Sequence, residues 1–417
     1  MLGLSPEMAG KDASNTELVA LAQTRLYPNY RQAPFVLARG RGCELFDVEG
    51  RRYLDLCAGV AVCSVGHAHP ALVRTIAEQA ATLMHVSNWF YNDVNVRLAD
   101  ELCRRTGFAR VLFCNSGTEA NEALLKLARH HFYAQGQKDR MRIVAFDNAF
   151  HGRTLGALSM TGTPKYREGF GPLGPVTHVP YGDADAVERA MGPDVCAIIV
   201  ETVQGEGGVF PPPPGFLARL RAIADTHGAL VLADEIQTGV GRTGRFLGSD
   251  GTGLKPDAIS LAKGLGGGFP IGAMLTTEKL AGALPGGTHG STFGGNALAS
   301  AASLAVLKIL DDEDLIEGAR SKGAVLAALL SDLAREIPAV CEAVRGEGLL
   351  WGVAMRPGFV AREVLPQIQE AGLLLTGAGE RVLRFSPPLV VSVAELNEGV
   401  ACLRGVLSSL GRVRATA

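Results

Sequence analysis

A lysine and a carboxylate follow two apolar segments that predict buried strands. Lys263 ends the run that begins at Ala258 and is followed at once by Gly264. Asp234 and Glu235 end the run that begins at Leu230. In a parallel sheet both would meet at the carboxyl edge. Such an amine and acid suit pyridoxal 5′-phosphate (PLP) chemistry, although an isolated lysine beside glycine is more often a solvated loop residue.

The elements around these residues predict an α/β architecture. Apolar, β-rich runs span residues 111–114, 143–146, 196–200, 229–233 and 258–262, and helical patterns span 119–135, 184–191 and 216–227. Continuous apolar strands indicate a sheet covered on both faces. We therefore expect a mainly parallel, doubly wound sheet whose ligands bind beyond the carboxyl ends of the strands.

The length of 417 residues exceeds what one core usually holds, so more than one domain is expected. We predict a large domain over residues 69–305 and a smaller α+β domain over 306–417. Residues 1–68 are predicted to pack with the smaller domain. Within them, residues 45–55 indicate two strands joined by a turn at Glu49 and Gly50.

Composition excludes several classes of partner. Forty basic and forty-two acidic residues give a net charge of -2 without a basic run, which argues against nucleic acid. Eight scattered cysteines and nine histidines show no metal-ligand spacing, so no metal is expected. No apolar run of about 20 residues and no secretory signal is visible, so we predict a cytoplasmic protein without membrane contact.

Residues 115–122 (NSGTEANE) follow a predicted strand and open a predicted helix. The backbone amides of Gly117 and Thr118 would then face an anion, because helix N-termini favour phosphate. The alternative is an ordinary N-cap followed by acidic first-turn residues.

Six motifs occur in one order along the chain: residues 115–121 (NSGTEAN), 150–153 (FHGR), 204–208 (QGEGG) and 234–239 (DEIQTG), Lys263, and residues 290–296 (GSTFGGN). Together they resemble the class III (ω-amino) aminotransferases of PLP fold type I. The resemblance spans residues 35–400 and implies that fold, with a large PLP-binding domain and a smaller α+β domain.

The resemblance implies a role for each matched residue. Lys263 would carry PLP and move a proton between the substrate carbon and the cofactor, and Asp234 would pair with the pyridine nitrogen. The remaining cofactor contacts would be Phe150 and Ile236 on the two ring faces, Gln237 near the phenolic oxygen, and Ser116, Gly117 and Thr118 at the phosphate. Thr292 resembles the threonine that reaches the phosphate of the neighbouring subunit, which implies a homodimer.

Substrate binding is implied for Arg153, Glu206, Ser291 and Arg384. Arg153 would clamp a substrate carboxylate, since a guanidinium can bind both oxygens. Arg384 resembles the arginine that holds the α-carboxylate of 2-oxoglutarate, and Glu206 the glutamate that neutralises it in the other half-reaction. An uncompensated buried arginine would be costly there.

The segment 58–62 carries Val60 where ornithine-specific members have tyrosine. The sequence of this segment, together with residues 289–296 and 384–389, resembles members that act on N-acetylornithine and N-succinylornithine. The resemblance therefore implies transfer of the δ-amino group of N2-acetylornithine to 2-oxoglutarate, giving N-acetylglutamate 5-semialdehyde and glutamate in arginine biosynthesis.

The chain departs from the family pattern at two places. Thr202 replaces a common proline and is expected to alter only local rigidity, whereas the segment Trp89-Phe90-Tyr91 is expected to be bulky at the pocket mouth and leaves other donors open. Succinylornithine, N-acetylated diaminopimelate precursors, ornithine and 4-aminobutyrate remain alternatives, because apolar pockets discriminate a methylene by only about 1–3 kcal/mol. Other classes are a PLP aminomutase and a cofactor-free descendant of the fold; Arg384 with Glu206 argues against the first, and Lys263 with Asp234 against the second.

Overall fold

The computed structural model describes residues 13–415, which contain fifteen strands and thirteen α-helices. The strands are β1 (Leu37–Arg41), β2 (Glu44–Asp47), β3 (Arg52–Asp55), β4 (Arg110–Cys114), β5 (Arg142–Phe146), β6 (Val176–Val179), β7 (Val195–Glu201), β8 (Leu230–Asp234), β9 (Ala258–Leu261), β10 (Gly272–Thr276), β11 (Cys341–Glu347), β12 (Leu350–Met355), β13 (Leu373–Leu374), β14 (Thr376–Ala378) and β15 (Val382–Phe385).

The helices are α1 (Asn15–Arg25), α2 (Ala58–Ala61), α3 (Pro70–Thr82), α4 (Asp93–Thr106), α5 (Gly117–Ala134), α6 (Leu155–Met160), α7 (Pro164–Arg167), α8 (Ala184–Ala190), α9 (Phe216–His227), α10 (Ala297–Asp312), α11 (Leu315–Glu336), α12 (Ala361–Glu370) and α13 (Val393–Ala415). Helix α2 is a single turn with left-handed backbone. Within residues 13–415, no helix combines the length and apolarity needed to cross a membrane.

Seven strands form the central sheet, in the order β4-β10-β9-β8-β7-β5-β6. Neighbours from β9 to β6 pair in parallel, whereas β10 is antiparallel to both β4 and β9. Every residue of β7 and β8 is buried, as expected of strands covered by helices on both faces. The mainly parallel α/β sheet predicted from sequence is thus present, with an antiparallel insertion that the apolar pattern did not reveal.

Two smaller sheets join distant parts of the chain. The sheet β1-β2-β3-β13 contains the predicted strand pair β2 and β3, with Glu44 opposite Leu54. Its strand β3 also pairs in parallel with β13, where Leu54 lies opposite Leu373. The second sheet, β11-β12-β15-β14, is antiparallel. The N-terminal strands therefore contact the C-terminal region, while the proposed domain boundaries at residues 68 and 305 stay predictions.

Candidate active site

The carboxyl ends of the central strands border a cavity of about 610 Å³. Ten of the residues singled out from sequence line it: Ser116, Gly117, Thr118, Phe150, Arg153, Glu206, Asp234, Ile236, Gln237 and Lys263. The other three, Ser291, Thr292 and Arg384, are not part of its lining. The sheet edge therefore brings the amine, the acid and the start of α5 to one space.

Lys263 begins a short 3-10 segment directly after β9 and Ala262. Its φ of 44° lies in the left-handed region, which costs a non-glycine residue about 1–2 kcal/mol. Ser64 donates a hydrogen bond to the carbonyl of Gly264 at 2.9 Å, which holds this segment against the N-terminal region. Burial, reinforced by the positive charge of Arg384, lowers the pKa of Lys263 to about 8. The lowered pKa increases the fraction of neutral, nucleophilic amine near neutral pH.

Asp234, the last residue of β8, is buried beneath the cavity and held by several donors. Asn121 of α5 and the Nδ1 atom of His151 both bond its Oδ2 atom, at 2.7 and 2.8 Å. The backbone amide of Ile236 donates to Oδ1 at 3.0 Å. Burial opposes a charge on His151, but the hydrogen bond to Asp234 and the negative charges of Asp234 and Glu201 together outweigh burial and raise the pKa of His151. These donors fix the carboxylate in one orientation.

Sequence reasoning missed two cavity-lining residues beside Asp234, namely His151 and Glu201. Glu201 ends β7 and accepts a hydrogen bond from the backbone amide of Phe150 at 3.1 Å. Burial raises the pKa of Glu201 to about 7. A signal for both existed, because Glu201 is a strand-end carboxylate and His151 is part of a recognised motif.

The start of α5 combines a side-chain cap with free backbone donors. Ser116 accepts a hydrogen bond from the amide of Glu119 at 3.3 Å and donates to its carboxylate at 2.8 Å, so the N-cap alternative is realised. The amides of Gly117 and Thr118 belong to the first turn, which has no intrahelical acceptors. A Cβ atom at Gly117 would lie 2.8 Å from the side chain of Ile236, so a larger residue here would displace Ile236. The helix start can therefore be capped and still present amides to an anion.

Arg384, on β15, is buried and forms an ion pair beside the cavity. Its Nη1 atom lies 2.9 Å from Oε2 of Glu206 and 3.4 Å from the amide oxygen of Gln237. Its Nε atom donates to the hydroxyl of Thr376 at 3.1 Å. The side chain of Glu206 is 31% exposed and that of Arg384 only 2%. The glutamate thus neutralises a cation that has little access to water.

Arg153 has a different environment, because its side chain is exposed at the cavity. Its guanidinium carbon lies 3.8 Å from the centre of the Tyr166 ring and 5.4 Å from that of Phe150. A cation over an aromatic face is attracted to it without losing its hydrogen-bonding capacity at the edge. Arg153 therefore remains available to bind an anionic group.

Ser291 and Thr292 lie in the loop before α10. The Oγ atom of Ser291 accepts from the side-chain amide of Asn115 at 3.2 Å and from the backbone amide of Gly294 at 3.0 Å. Thr292 is exposed. In this chain the loop contacts Asn115, but neither Ser291 nor Thr292 lines the cavity.

Another part of the cavity wall comes from the N-terminal region, through Tyr30, Val60 and Val62. Tyr30 was not identified from sequence, because an isolated tyrosine in an irregular segment carries no distinguishing pattern. The segment Trp89 to Tyr91, expected at the pocket mouth, does not line this cavity. It lies in the connection between α3 and α4, and all three side chains are exposed.

Comparison with known families identifies the chain. The family model for aminotransferase class-III matches residues 26–407. The chain belongs to the class III aminotransferases. This aminotransferase is 49% identical to acetylornithine aminotransferase of Myxococcus xanthus, over 93% of this chain and 97% of the relative. It is 42% identical to a succinylornithine transaminase/acetylornithine aminotransferase of Pseudomonas aeruginosa, over 93% and 96% of the two chains.

A solved structure of ornithine aminotransferase from Toxoplasma gondii superimposes on this aminotransferase with a TM-score of 0.93 and 34% identity, covering 98% and 97% of the two chains. That structure is described as having PLP at partial occupancy in its active site. The fold is PLP fold type I, and this aminotransferase uses PLP as its cofactor. The cavity fits the cofactor, because a lysine of lowered pKa, a buried carboxylate and a helix N-terminus all line it. No group of three or more His, Cys, Asp or Glu side chains in residues 13–415 is arranged to hold a metal ion.

Proposed function

We propose that this aminotransferase transfers the δ-amino group of N2-acetylornithine to 2-oxoglutarate, giving N-acetylglutamate 5-semialdehyde and glutamate in arginine biosynthesis. The observation that carries the proposal is the ion pair beside Lys263, in which Nη1 of Arg384 lies 2.9 Å from Oε2 of Glu206. An arginine that can be neutralised or released suits an enzyme that must accept two chemically different substrates in turn.

The cofactor would be held by the residues assigned from sequence. Lys263 would be its covalent attachment point, Asp234 would face the pyridine nitrogen, and Gln237 would lie near the phenolic oxygen. The remaining contacts would be Phe150 and Ile236 on the ring faces and Ser116, Gly117 and Thr118 at the phosphate. When bound, PLP supplies an aldehyde carbon that reacts with amines and a ring that accepts electrons.

Lys263 would move the proton during the reaction. With a pKa of about 8, the released amine of Lys263 would take a proton from the amine-bearing carbon of the donor and deliver it to the cofactor. Asp234, held by Asn121 and His151, would keep its negative charge directed at one position, so no reorganisation is needed during proton transfer.

The two arginines would divide the recognition of carboxylates. Arg153, exposed at the cavity, would bind the carboxylate of N2-acetylornithine, with Ser291 assigned as a further substrate contact. Arg384 would stay paired with Glu206 while the donor is bound. When 2-oxoglutarate enters, its α-carboxylate would replace Glu206 on Arg384, and its second carboxylate would reach Arg153.

The choice of donor is supported by the cavity wall and by the relatives. Val60 and Val62 give the wall an apolar surface, which favours an acylated amino group over the charged ammonium of free ornithine. Identity is 49% to the acetylornithine enzyme but 34% to the ornithine enzyme. The double name of the Pseudomonas aeruginosa relative makes succinylornithine the second candidate.

A homodimer and a cytoplasmic location complete the proposal. Thr292 is exposed in one chain, consistent with contact to the phosphate bound by a neighbouring subunit. Its exposure would otherwise leave a family motif residue without a role. Sedimentation of the protein loaded with PLP would show whether it is a dimer.

Half-reactions followed by cofactor absorbance test the donor. The protein loaded with PLP is mixed separately with N-acetylornithine, succinylornithine, ornithine and 4-aminobutyrate. We expect the first to convert the cofactor fastest. Faster conversion by ornithine or 4-aminobutyrate would contradict the substrate assignment, and failure of the wild-type protein to bind PLP would contradict the enzyme itself.

A further inference from the structure

The cavity wall at Ala58–Ala61 has an unusual backbone. Four consecutive residues have positive φ angles: 48° at Ala58, 61° at Gly59, 67° at Val60 and 61° at Ala61. Only one of them is glycine, and a β-branched residue such as Val60 is rarely found there. We call this segment the left-handed turn. Its local sequence does not favour its conformation, so the surrounding structure must impose it.

Asp55 caps the start of the left-handed turn. This buried carboxylate accepts hydrogen bonds through Oδ1 from the backbone amides of Cys57, at 2.9 Å, and Ala58, at 2.8 Å. Its Oδ2 atom lies 2.6 Å from Nε2 of His67. The hydrogen bond to Asp55 raises the pKa of His67 to about 9, so the pair is ionic at neutral pH.

Two serines connect the same region to the rest of the site. The buried hydroxyl of Ser386 donates to the carbonyl of Cys57 at 3.0 Å. Ser386 lies two residues after Arg384 on the same chain segment. Ser64, just beyond the turn, donates to the carbonyl of Gly264, next to Lys263. The left-handed turn is therefore fixed relative to both Arg384 and Lys263.

We propose that Asp55, His67 and Ser386 are positioning residues that select the amine donor by holding the left-handed turn, and with it Val60, in the cavity wall. This inference rests on the proposed function. None of the three residues lines the cavity. They act through Val60, whose distance from the rest of the wall sets how much room the acyl end of a donor finds.

The test compares variants that release the turn with variants that keep it. Asp55→Ala removes the acceptor for both amides, whereas Asp55→Asn keeps one carbonyl oxygen for them and an amide for a neutral His67. Gly59→Ala creates no clash, because the atom nearest to the added Cβ is Val62 Cβ at 3.8 Å. The substitution does strain the backbone, because residue 59 has a φ of 61°. Glu313→Ala is the matched control, since Glu313 bonds the exposed side of His69 at 2.9 Å without touching the turn.

Two readouts separate positioning from general damage. The first is the ratio of kcat/KM for N-acetylornithine to that for 4-aminobutyrate, which lacks the acyl end. The second is calorimetric binding of N2-acetylnorvaline, which keeps the acyl end but has no δ-amino group to react. Loss of folded protein lowers both activities equally and leaves their ratio unchanged.

For Asp55→Ala we expect the ratio to fall at least about tenfold, as for a misplaced binding wall, with a similar weakening of N2-acetylnorvaline binding. Gly59→Ala should shift both in the same direction by a smaller factor, and it remains informative if Asp55→Ala does not fold. Asp55→Asn and Glu313→Ala should keep the wild-type ratio.

An unchanged ratio and unchanged N2-acetylnorvaline binding in Gly59→Ala and in folded Asp55→Ala would overturn the inference. A wild-type enzyme that prefers another donor would refute only the proposed function. The inference would then be decided by whether Asp55→Ala changes the wild-type ranking of the four donors, and an unchanged ranking would overturn it.

Discussion

Replacing Glu206 by glutamine would test the exchange between its carboxylate and that of 2-oxoglutarate on Arg384. The substitution keeps the size of the side chain and removes its charge. In the wild-type protein, an incoming carboxylate must displace Glu206 from the Nη1 atom of Arg384, 2.9 Å away. In Glu206→Gln that competition is weakened, so 2-oxoglutarate should bind more tightly.

The magnitude follows from the burial of the two partners. A hydrogen bond between charged groups contributes about 1.5–3 kcal/mol. Arg384 is 2% exposed but Glu206 is 31% exposed, so solvent screening reduces the contribution to about 1–2 kcal/mol. The dissociation constant of 2-oxoglutarate should therefore fall by about 5–30-fold. The donor half-reaction should slow, because Arg384 is left without its counter-charge.

The assay is rapid-mixing absorbance of the bound cofactor, with each half-reaction measured alone. Glu342→Gln is the matched control, because Glu342 pairs with Arg381 at 2.8 Å on the exposed surface. It should leave both half-reactions unchanged. Unchanged or weaker binding of 2-oxoglutarate to Glu206→Gln would refute the reasoning, since Glu206 would then not compete for Arg384.

Four further outcomes are expected. Arg384→Ala should slow the 2-oxoglutarate half-reaction at least about tenfold more than the donor half-reaction, and equal losses in the two would contradict the exchange. Lys263→Ala should lower turnover by about a thousandfold or more while PLP still binds without covalent attachment; substantial turnover would exclude Lys263 as the base. Attachment of PLP to the protein needs the neutral amine of Lys263, so the rate of attachment should fall as the pH decreases below the pKa of about 8. A rate that does not change between about pH 6 and about pH 9 would contradict this. His151→Phe removes a donor to Asp234 and should slow the donor half-reaction by about 10–100-fold with little change in KM, whereas a change in KM alone would argue for a different role.

Several features were predictable because their signals are local. The apolar runs ending at Asp234 and Lys263 predict buried strands, and parallel strands place their carboxyl ends at one edge. Ser116 followed by Glu119 predicts a helix start, since capping depends on residues three apart. These patterns account for Lys263, Asp234 and the start of α5. The other predicted residues that line the cavity, Phe150, Arg153, Glu206, Ile236 and Gln237, were assigned from the resemblance to a known family.

The sequence by itself determined which residues end the central strands and which open α5, because periodicity and capping act over a few positions. The tertiary structure decided what those residues meet. Asp234 faces the cavity and is held by His151, while adjacent Glu235 accepts the amides of Gly248 and Ser249 in a buried loop. Side chains alternate along a strand, so only its place in the sheet settles which carboxylate reaches the site.

The left-handed turn is the clearest case of tertiary control. Alanine and valine at positions 58, 60 and 61 favour right-handed or extended backbone, so no local pattern predicts positive φ there. Contacts from Asp55 and Ser386, the latter 329 residues from Cys57, impose it. Long-range hydrogen bonds can hold a backbone conformation that its own sequence disfavours, and for this reason the shape of the cavity wall at Val60 is decided only in the folded chain.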